Sequence, residues 1–261
     1  MRKRNYANKI EMKNLAVIFV LFQAVACGQV ATISEVKRQP NTRLFNTKDS
    51  AIIYPVVVTN AKAIDDKMNF QIQETLLHPD SAIANNPVEE ILDTAILYGL
   101  TFMSYEITFN RDHVLSFTVT AENCGANCSE WQSHFNFNTQ TGDRITIDDI
   151  LKSDLMQAFK DSVFRRKVNE LVRYKSKLKD NLERKHVDHD SYAWAMEQVE
   201  LYCINSISLE QFSLSGSGIE IFDNCEFPRL IRELQPGYHL NYSYSSINEL
   251  LTPGWKKILM K

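Results

Sequence analysis

The 261-residue chain lacks the short motifs of the common catalytic and phosphate-binding sites. It contains no Gly-x-Ser-x-Gly nucleophile turn, no His-Glu-x-x-His zinc motif and no phosphate-binding loop. Its formal net charge is −3, so the composition gives no argument for nucleic-acid binding. Its longest apolar run is also shorter than the roughly 20 residues that a transmembrane helix needs. These absences favour a non-enzymatic globular protein that uses no cofactor and no metal ion and binds no nucleic acid.

The N-terminal segment is typical of an export signal. Lys13 precedes an apolar run at residues 15–22, and small residues follow it. Basic residues at positions 2–4 lengthen the region before this run, so the true start is either Met1 or Met12.

The end of this segment, Ala24-Val-Ala-Cys27, resembles a bacterial lipobox, in which the cysteine becomes the lipidated first residue. Secretion without a lipid is the alternative. We therefore predict a signal peptide with lipobox at residues 1–27 and a domain at residues 51–261. Residues 28–50 are polar and predict a tether, or a tether followed by an irregular first strand.

Cysteine counting agrees with lipidation. The chain has five cysteines, and removing Cys27 leaves an even number in an exported chain. The simplest pairing joins Cys124 to Cys128 and Cys203 to Cys225. A metal site or redox pair is the alternative for Cys124 and Cys128, but zinc sites usually bring a second close pair of Cys or His residues. A structural disulfide is therefore the expected state.

Residues 115–182 form the centre of the predicted fold. Apolar and polar residues alternate at 115–120 and again at 131–138, which predicts two strands. The turn between them contains Asn and Gly and places Cys124 and Cys128 beside the hairpin tip. Gly142 ends the second strand, and Ser153 is a predicted N-cap for a long amphipathic helix over residues 155–182. The helix is expected to lie on one face of the sheet, with a basic opposite face that includes Lys167.

Further strands and helices are predicted on both sides of this centre. Residues 51–58 read as a strand in which Pro55 indicates an edge position or a bulge, and Asn60 is the predicted N-cap of the next helix. The remaining predictions are helices at 61–77, 87–97 and 192–201, a strand at 105–109, a hairpin at 207–222 and a short helix that Ser246 caps and Pro253-Gly254 ends. Together they predict an α+β protein, an antiparallel sheet built from hairpins with a long amphipathic helix and shorter helices packed on one face.

Two clusters are candidate sites. Tyr238, Tyr242 and Tyr244 alternate along one predicted strand and would form a binding surface for a glycan or a protein. The same row could instead be the sheet face beneath a helix. His186, Asp188, His189 and Asp190 could ligate a divalent ion, but a solvated helix end explains them better.

The chain contains Tyr54-Pro55-Val-Val before a helix, a strand pair leading into Asn138-Thr-Gln-Thr-Gly142, Asp148-Asp-Ile-Leu before the long helix, and a tail from Phe212 to Leu251. This order resembles the DUF3298/DUF4163 families. Those families occur in the extracellular part of the lysozyme-sensing anti-sigma factor RsiV and in the N-terminal region of some peptidoglycan deacetylases. The resemblance implies an α+β sheet with helices on one side, placed outside the cytoplasmic membrane. In the anti-sigma factor this region binds lysozyme.

The sequence therefore predicts an envelope lipoprotein held to the membrane by its lipid. It would be a non-enzymatic module that binds a lysozyme-like protein or peptidoglycan. The alternative is a secreted hydrolase acting on cell-wall glycan, for which Asp148-Asp149 and His186-x-x-His189 are the only crowded candidates.

Lipidation can be measured on the native protein. We expect intact-mass spectrometry to show a mature chain that begins at Cys27, carries a lipid and has four oxidised cysteines. A Cys27→Ser variant should lose the lipid mass. Full-length chain in the cytosol with five free thiols would contradict export.

Overall fold

The computed structural model describes residues 31–40, 51–78, 86–125, 127–204, 207–223 and 225–261. The predicted signal peptide, the lipobox and Cys27 lie outside these residues. No helix in the described ranges combines the length and the apolar character needed to cross a membrane.

The larger sheet has five strands in the order β1-β2-β3-β4-β5. Their bounds are β1 Thr32–Arg38, β2 Ile52–Val58, β3 Leu100–Arg111, β4 Val114–Cys124 and β5 Cys128–Asn138. The pairs β1/β2, β3/β4 and β4/β5 are antiparallel, but β2 and β3 run parallel and pair only at Ile52 and Met103. The sheet is therefore mixed rather than purely antiparallel.

Of the two alternatives for residues 28–50, a tether or a tether followed by a first strand, the structure shows the strand. Seven residues inside the 28–50 segment form β1, which pairs with β2 along its whole length. Pro55 consequently lies in a strand with neighbours on both sides, not at the sheet edge. The parallel pairing with β3 stops at Ile52, so the missing N–H of Pro55 removes no bond from that ladder.

Two helices, α1 Lys62–Leu77 and α2 Val88–Leu97, cover one face of this sheet. Met68 and Ile72 of α1 are fully buried against strand residues such as Phe117 and Phe135. The residue before α1 is Ala61, so the predicted N-cap Asn60 is wrong. Asp65 instead accepts hydrogen bonds from the backbone and hydroxyl of Thr59 at 2.8 and 2.5 Å.

Two tight turns have the positive φ values that such turns require. Asp112 and His113 take φ values of 50° and 65° between β3 and β4, the left-handed pair that a two-residue hairpin turn requires. Gly142 has a φ of 71°, and an added Cβ there would lie 3.1 Å from the Ile64 carbonyl oxygen. Glycine is therefore needed at position 142 both for the backbone conformation and for the close approach of α1.

A second, smaller sheet has the order β6-β7-β8. It consists of β6 Phe212–Leu214, β7 Gly218–Ile221 and β8 Leu240–Ser243. A short helix α3 Ile147–Ile150 leads through a 3-10 turn, Ser153–Leu155, into the long helix α4 Met156–Glu183. Ser153 lies inside that turn, so it is not the N-cap of α4.

The long helix packs on the smaller sheet, which corrects the prediction that it covers the main one. Phe159 and Val163 are fully buried in a core shared with β6, β7 and β8. Further along, Leu171 and Leu178 pack against α5 His189–Gln198, which continues as a π-helical turn, Val199–Cys203. The C-terminal helix α6 Pro253–Leu259 closes the smaller core, so Pro253 begins a helix that the sequence analysis missed.

Two disulfides join the expected partners. Cys124 is bonded to Cys128 across the tip of the β4–β5 hairpin, and Cys203 to Cys225 across the core beside α4 and α5. Such bonds persist in oxidising compartments, which agrees with a domain outside the cytoplasm.

Lys167 does not belong to the basic surface of α4. Its side chain is 1% exposed, and its Nζ lies 2.6 Å from Oδ2 of Asp223, which is 6% exposed. The pair links the middle of α4 to the segment after β7. Removing one partner would leave the other charge buried and uncompensated.

We predict that Asp223→Asn lowers the free energy of unfolding by about 3–5 kcal/mol, because it leaves the buried Lys167 charge without a counter-charge. Asp66→Asn is the matched control, since it breaks an exposed pair with Lys62 and should cost less than about 1 kcal/mol. Chemical denaturation measures both. Equal losses in the two variants would contradict the assignment.

Candidate functional site

The predicted tyrosine binding surface is wrong. Tyr242 and Tyr244 are only 4% and 5% exposed, and Tyr238 is partly buried. Tyr242 packs against Phe159 of α4 with ring centroids 5.1 Å apart. The row is therefore the sheet face beneath the long helix, the alternative that the sequence had left open.

The acidic and histidine cluster is the end of a helix. Asp188 is the N-cap of α5, and its carboxylate accepts a bond from the Ser191 N–H at 2.8 Å.

Within the described ranges, the one group whose ligand atoms come close enough for a shared metal is Glu122, Cys124 and Cys128, within 4.8 Å. Both of its sulfurs are used in the disulfide.

Two open clefts lie where the large sheet meets the smaller half of the molecule. The loop of residues 207–211 separates them, and Ser208 and Gln211 line both. The first cleft has a volume of about 830 Å³ and the second about 800 Å³. Strand β5 forms a wall of each: His134 and Asn136 line the first, and residues 129–132 line the second.

The alternation of β5 separates its side chains. Phe135 and Phe137 point into the core beneath α1 and α2. His134 and Asn136 point to the other face, where the Asn136 amide donates to the Phe212 carbonyl at 2.7 Å. Oδ1 of Asn136 is buried without a hydrogen-bond partner among the described residues.

His134 is held as a neutral ring. It is 4% exposed, stacks on Phe222 at 3.6 Å between centroids, and its Nδ1 lies 3.0 Å from Thr118 Oγ1. Burial, with a smaller contribution from the charge of His239, lowers the pKa of His134 to about 4. A hydroxyl beside a neutral imidazole resembles the nucleophile and base of a catalytic triad. The third group of a triad is a carboxylate that orients the imidazole, and none contacts His134 among the described residues.

The first cleft combines apolar residues with charges of both signs. Ile145, Ile147 and Leu209 line it together with Lys160, Arg144, Asp148 and Glu210. The Arg144 guanidinium lies 4.7 Å from the centroid of the Phe135 ring, and burial lowers its pKa.

The second cleft is open and polar, with aromatic residues on its walls. Trp131 and Phe222, both partly buried, contribute rings. The polar side chains that line it are mainly amides and carboxylates, with one guanidinium, one imidazole and two hydroxyls: Gln132, Gln211, Gln235, Glu130, Glu226, Asp223, Arg232, His78, Ser129 and Ser208. At one end, Arg232 donates to Ser129 Oγ at 2.6 Å and connects the two walls.

Sequence reasoning missed this second cleft. Trp131 and Gln132 were recognised only as part of a strand. Their cleft partners, such as Gln211 and Arg232, lie about 80 and 100 residues further along the chain. The lone tryptophan in an otherwise polar half-strand was the available signal.

Known structures match this fold. No protein-family model matches the chain, and no curated protein matches it. A solved DUF3298 family protein from Bacteroides fragilis gives a TM-score of 0.53 at 14% identity, over 90% of this chain and 99% of that one. A DUF3298 family protein from Pseudomonas aeruginosa gives 0.49 at 9% identity, over 87% of this chain and 96% of that one. The Bacteroides structure confirms the DUF3298 resemblance at the level of the fold.

The depressed pKa of His134 predicts acid sensitivity. The unfolded chain binds a proton near the ordinary histidine pKa of about 6.5, whereas the folded ring resists protonation down to about 4. Stability is therefore complete above about pH 6.5 and falls as the pH drops towards 4, by about 3 kcal/mol from this residue. His134→Gln should flatten the difference between pH 7 and pH 4 by that amount in urea titrations. Identical pH profiles for the two proteins would contradict the burial argument.

Proposed function

We propose that this protein is a non-enzymatic binding module of the bacterial cell envelope that holds a peptidoglycan glycan strand in the second cleft. Cys27 carries the lipid that keeps it at the membrane, outside the cytoplasm. The observation that carries the proposal is the composition of that cleft. An aromatic platform, Trp131, faces an opening of about 800 Å³ surrounded by amide and carboxylate side chains.

Sugar rings suit such a surface. The apolar face of a pyranose packs against an aromatic ring, while its hydroxyl groups need neutral and charged hydrogen-bond partners. Gln132 and Glu226 are exposed. The Gln132 amide donates one long hydrogen bond, 3.4 Å, to Thr120 Oγ1, and Glu226 makes no hydrogen bond to another described side chain.

Hydrolysis of the same glycan is the alternative enzyme function. It would need two carboxyl groups, one of them kept protonated by an apolar environment. Glu130 and Glu226 both line the second cleft but are exposed, and the buried Asp223 is paired with Lys167, so none of the three lies in an apolar environment without a counter-charge. Binding without cleavage is therefore the function that the cleft supports better.

A lysozyme-like protein is the second candidate partner. The sequence resemblance to a lysozyme-sensing family favours it, and the exposed carboxylates of Glu130, Glu210 and Glu226 near the clefts would attract a basic protein. Such an electrostatic complex would weaken strongly with added salt, whereas glycan binding would not.

The test is co-sedimentation of residues 28–261 with purified peptidoglycan, alongside capture on immobilised lysozyme. We expect binding to peptidoglycan, reduced about tenfold by Trp131→Ala, the change of about 1.4 kcal/mol typical of a lost aromatic anchor. Trp255→Ala is the matched control, because it removes a partly buried tryptophan of α6 that lines neither of the two clefts. Capture by lysozyme alone would favour the second candidate, and binding to neither would refute the module.

A further inference from the structure

Strand β5 is the last strand of the large sheet, and the direction of its backbone groups follows from three bonds. The Asn136 carbonyl accepts from the Ile145 N–H at 2.8 Å, and the Asn138 N–H donates to the Asp143 carbonyl at 2.9 Å. The His134 N–H donates to the Gln211 side chain at 3.3 Å. All three bonds leave β5 on the side away from β4. Because alternate residues of a strand direct their backbone groups to the same side, residues 130 and 132 also face outward.

The outward groups at these two positions have no partner within the described ranges. The pairing of β5 with β4 has no register shift between Cys128 and Asn138, so the alternation continues through this stretch. The N–H groups of Glu130 and Gln132 make no bond outside that ladder. Backbone groups normally find partners, so this short open edge can accept hydrogen bonds from a ligand and donate hydrogen bonds to it.

Hydrogen bonds limit the open edge at both ends. Arg232 binds Ser129 at one end, and Gln211 binds the His134 N–H at the other. Only two outward-facing residues remain between these bonds. A partner strand usually contributes more residues than this, so the space favours a compact ligand with a single amide over an added strand.

This open edge lies inside the second cleft. Glu130, Trp131 and Gln132 line the cleft together, and Glu226 lines it from the segment after β7. A trans amide directs its C=O and its N–H in opposite directions. An amide in the cleft can therefore accept from a β5 N–H while it donates to another acceptor of the cleft, such as the Glu226 carboxylate.

We propose that the edge of β5 between Ser129 and His134 recognises the acetamido group of an N-acetylated hexosamine. The acetamido oxygen accepts from the Gln132 N–H, and the sugar ring packs on Trp131. This inference rests on the proposed glycan-binding function and deepens it, because it names the chemical group of the glycan that the protein recognises.

The ligand test compares two neutral tetrasaccharides by calorimetry with the chain from residue 28 onward. A tetramer of N-acetylglucosamine should bind at least tenfold more tightly than a tetramer of glucose, which has the same linkage and no acetamido group. Equal binding of the two sugars would overturn the inference. If peptidoglycan still bound in that case, the proposed function would stand without it.

The backbone donor can be removed selectively. Gln132→Pro deletes the outward N–H without removing a bond to β4, which proline tolerates at a sheet edge, whereas Gln132→Ala keeps the N–H. We expect Gln132→Pro to bind the acetylated tetramer at least tenfold more weakly than Gln132→Ala, because both variants lose the side-chain amide and only the proline variant loses the N–H. Thermal unfolding of both variants controls for folding.

A measurement on the unsubstituted chain keeps the test independent of the proline variant. In amide NMR spectra, the Gln132 N–H resonance should move downfield on addition of the acetylated tetramer and stay in place with the glucose tetramer. No change at Gln132 would overturn the inference, as would displacement of the sugar by an unrelated extended peptide. Loss of peptidoglycan binding altogether would refute the proposed function as well.

Discussion

The outer edge of β5 pairs with no further strand among the described residues, and much of the architecture depends on which groups bond to this edge. The chain returns at residues 143–145 to bond one end of the edge, and Gln211 supplies a side-chain acceptor in the middle. These returns bring the 207–211 loop against the sheet. The two clefts exist because that loop contacts the edge at intervals and does not cover it.

The smaller sheet is attached to the large one by hydrogen bonds from side chains. Its edge strand β6 pairs only with β7, so its other side needs partners too. Those partners are side chains from the face of the large sheet. Asn136 donates to the Phe212 carbonyl, and Ser116 Oγ accepts from the Leu214 N–H at 3.0 Å. Both side chains are buried, so these bonds form in a medium where an unpaired backbone group would be costly, and they fix the position of β6.

Local patterns predicted most of the elements but not their assembly. The β4–β5 hairpin, α1, α2, α4 and the disulfide pairs follow from alternation, helical spacing and cysteine parity, which act within short stretches of chain. The inward position of Lys167 depends on Asp223, 56 residues later, and no pattern around Lys167 reveals this partner. The tyrosine row shows the same limit, because periodicity identifies a face but not the element that covers it. For the same reason, the division into two sheets and the location of the second cleft needed the folded chain.

Strand order also sets the distance between the N-terminal strand and the second cleft. The N-terminal side of the domain enters at β1, and β5 lies at the opposite edge of the same sheet. Four strand spacings separate them, about 19 Å at the usual interval. A membrane attachment through the N-terminal side would thus leave the Trp131 cleft at the edge of the sheet opposite to the strand that follows the anchor.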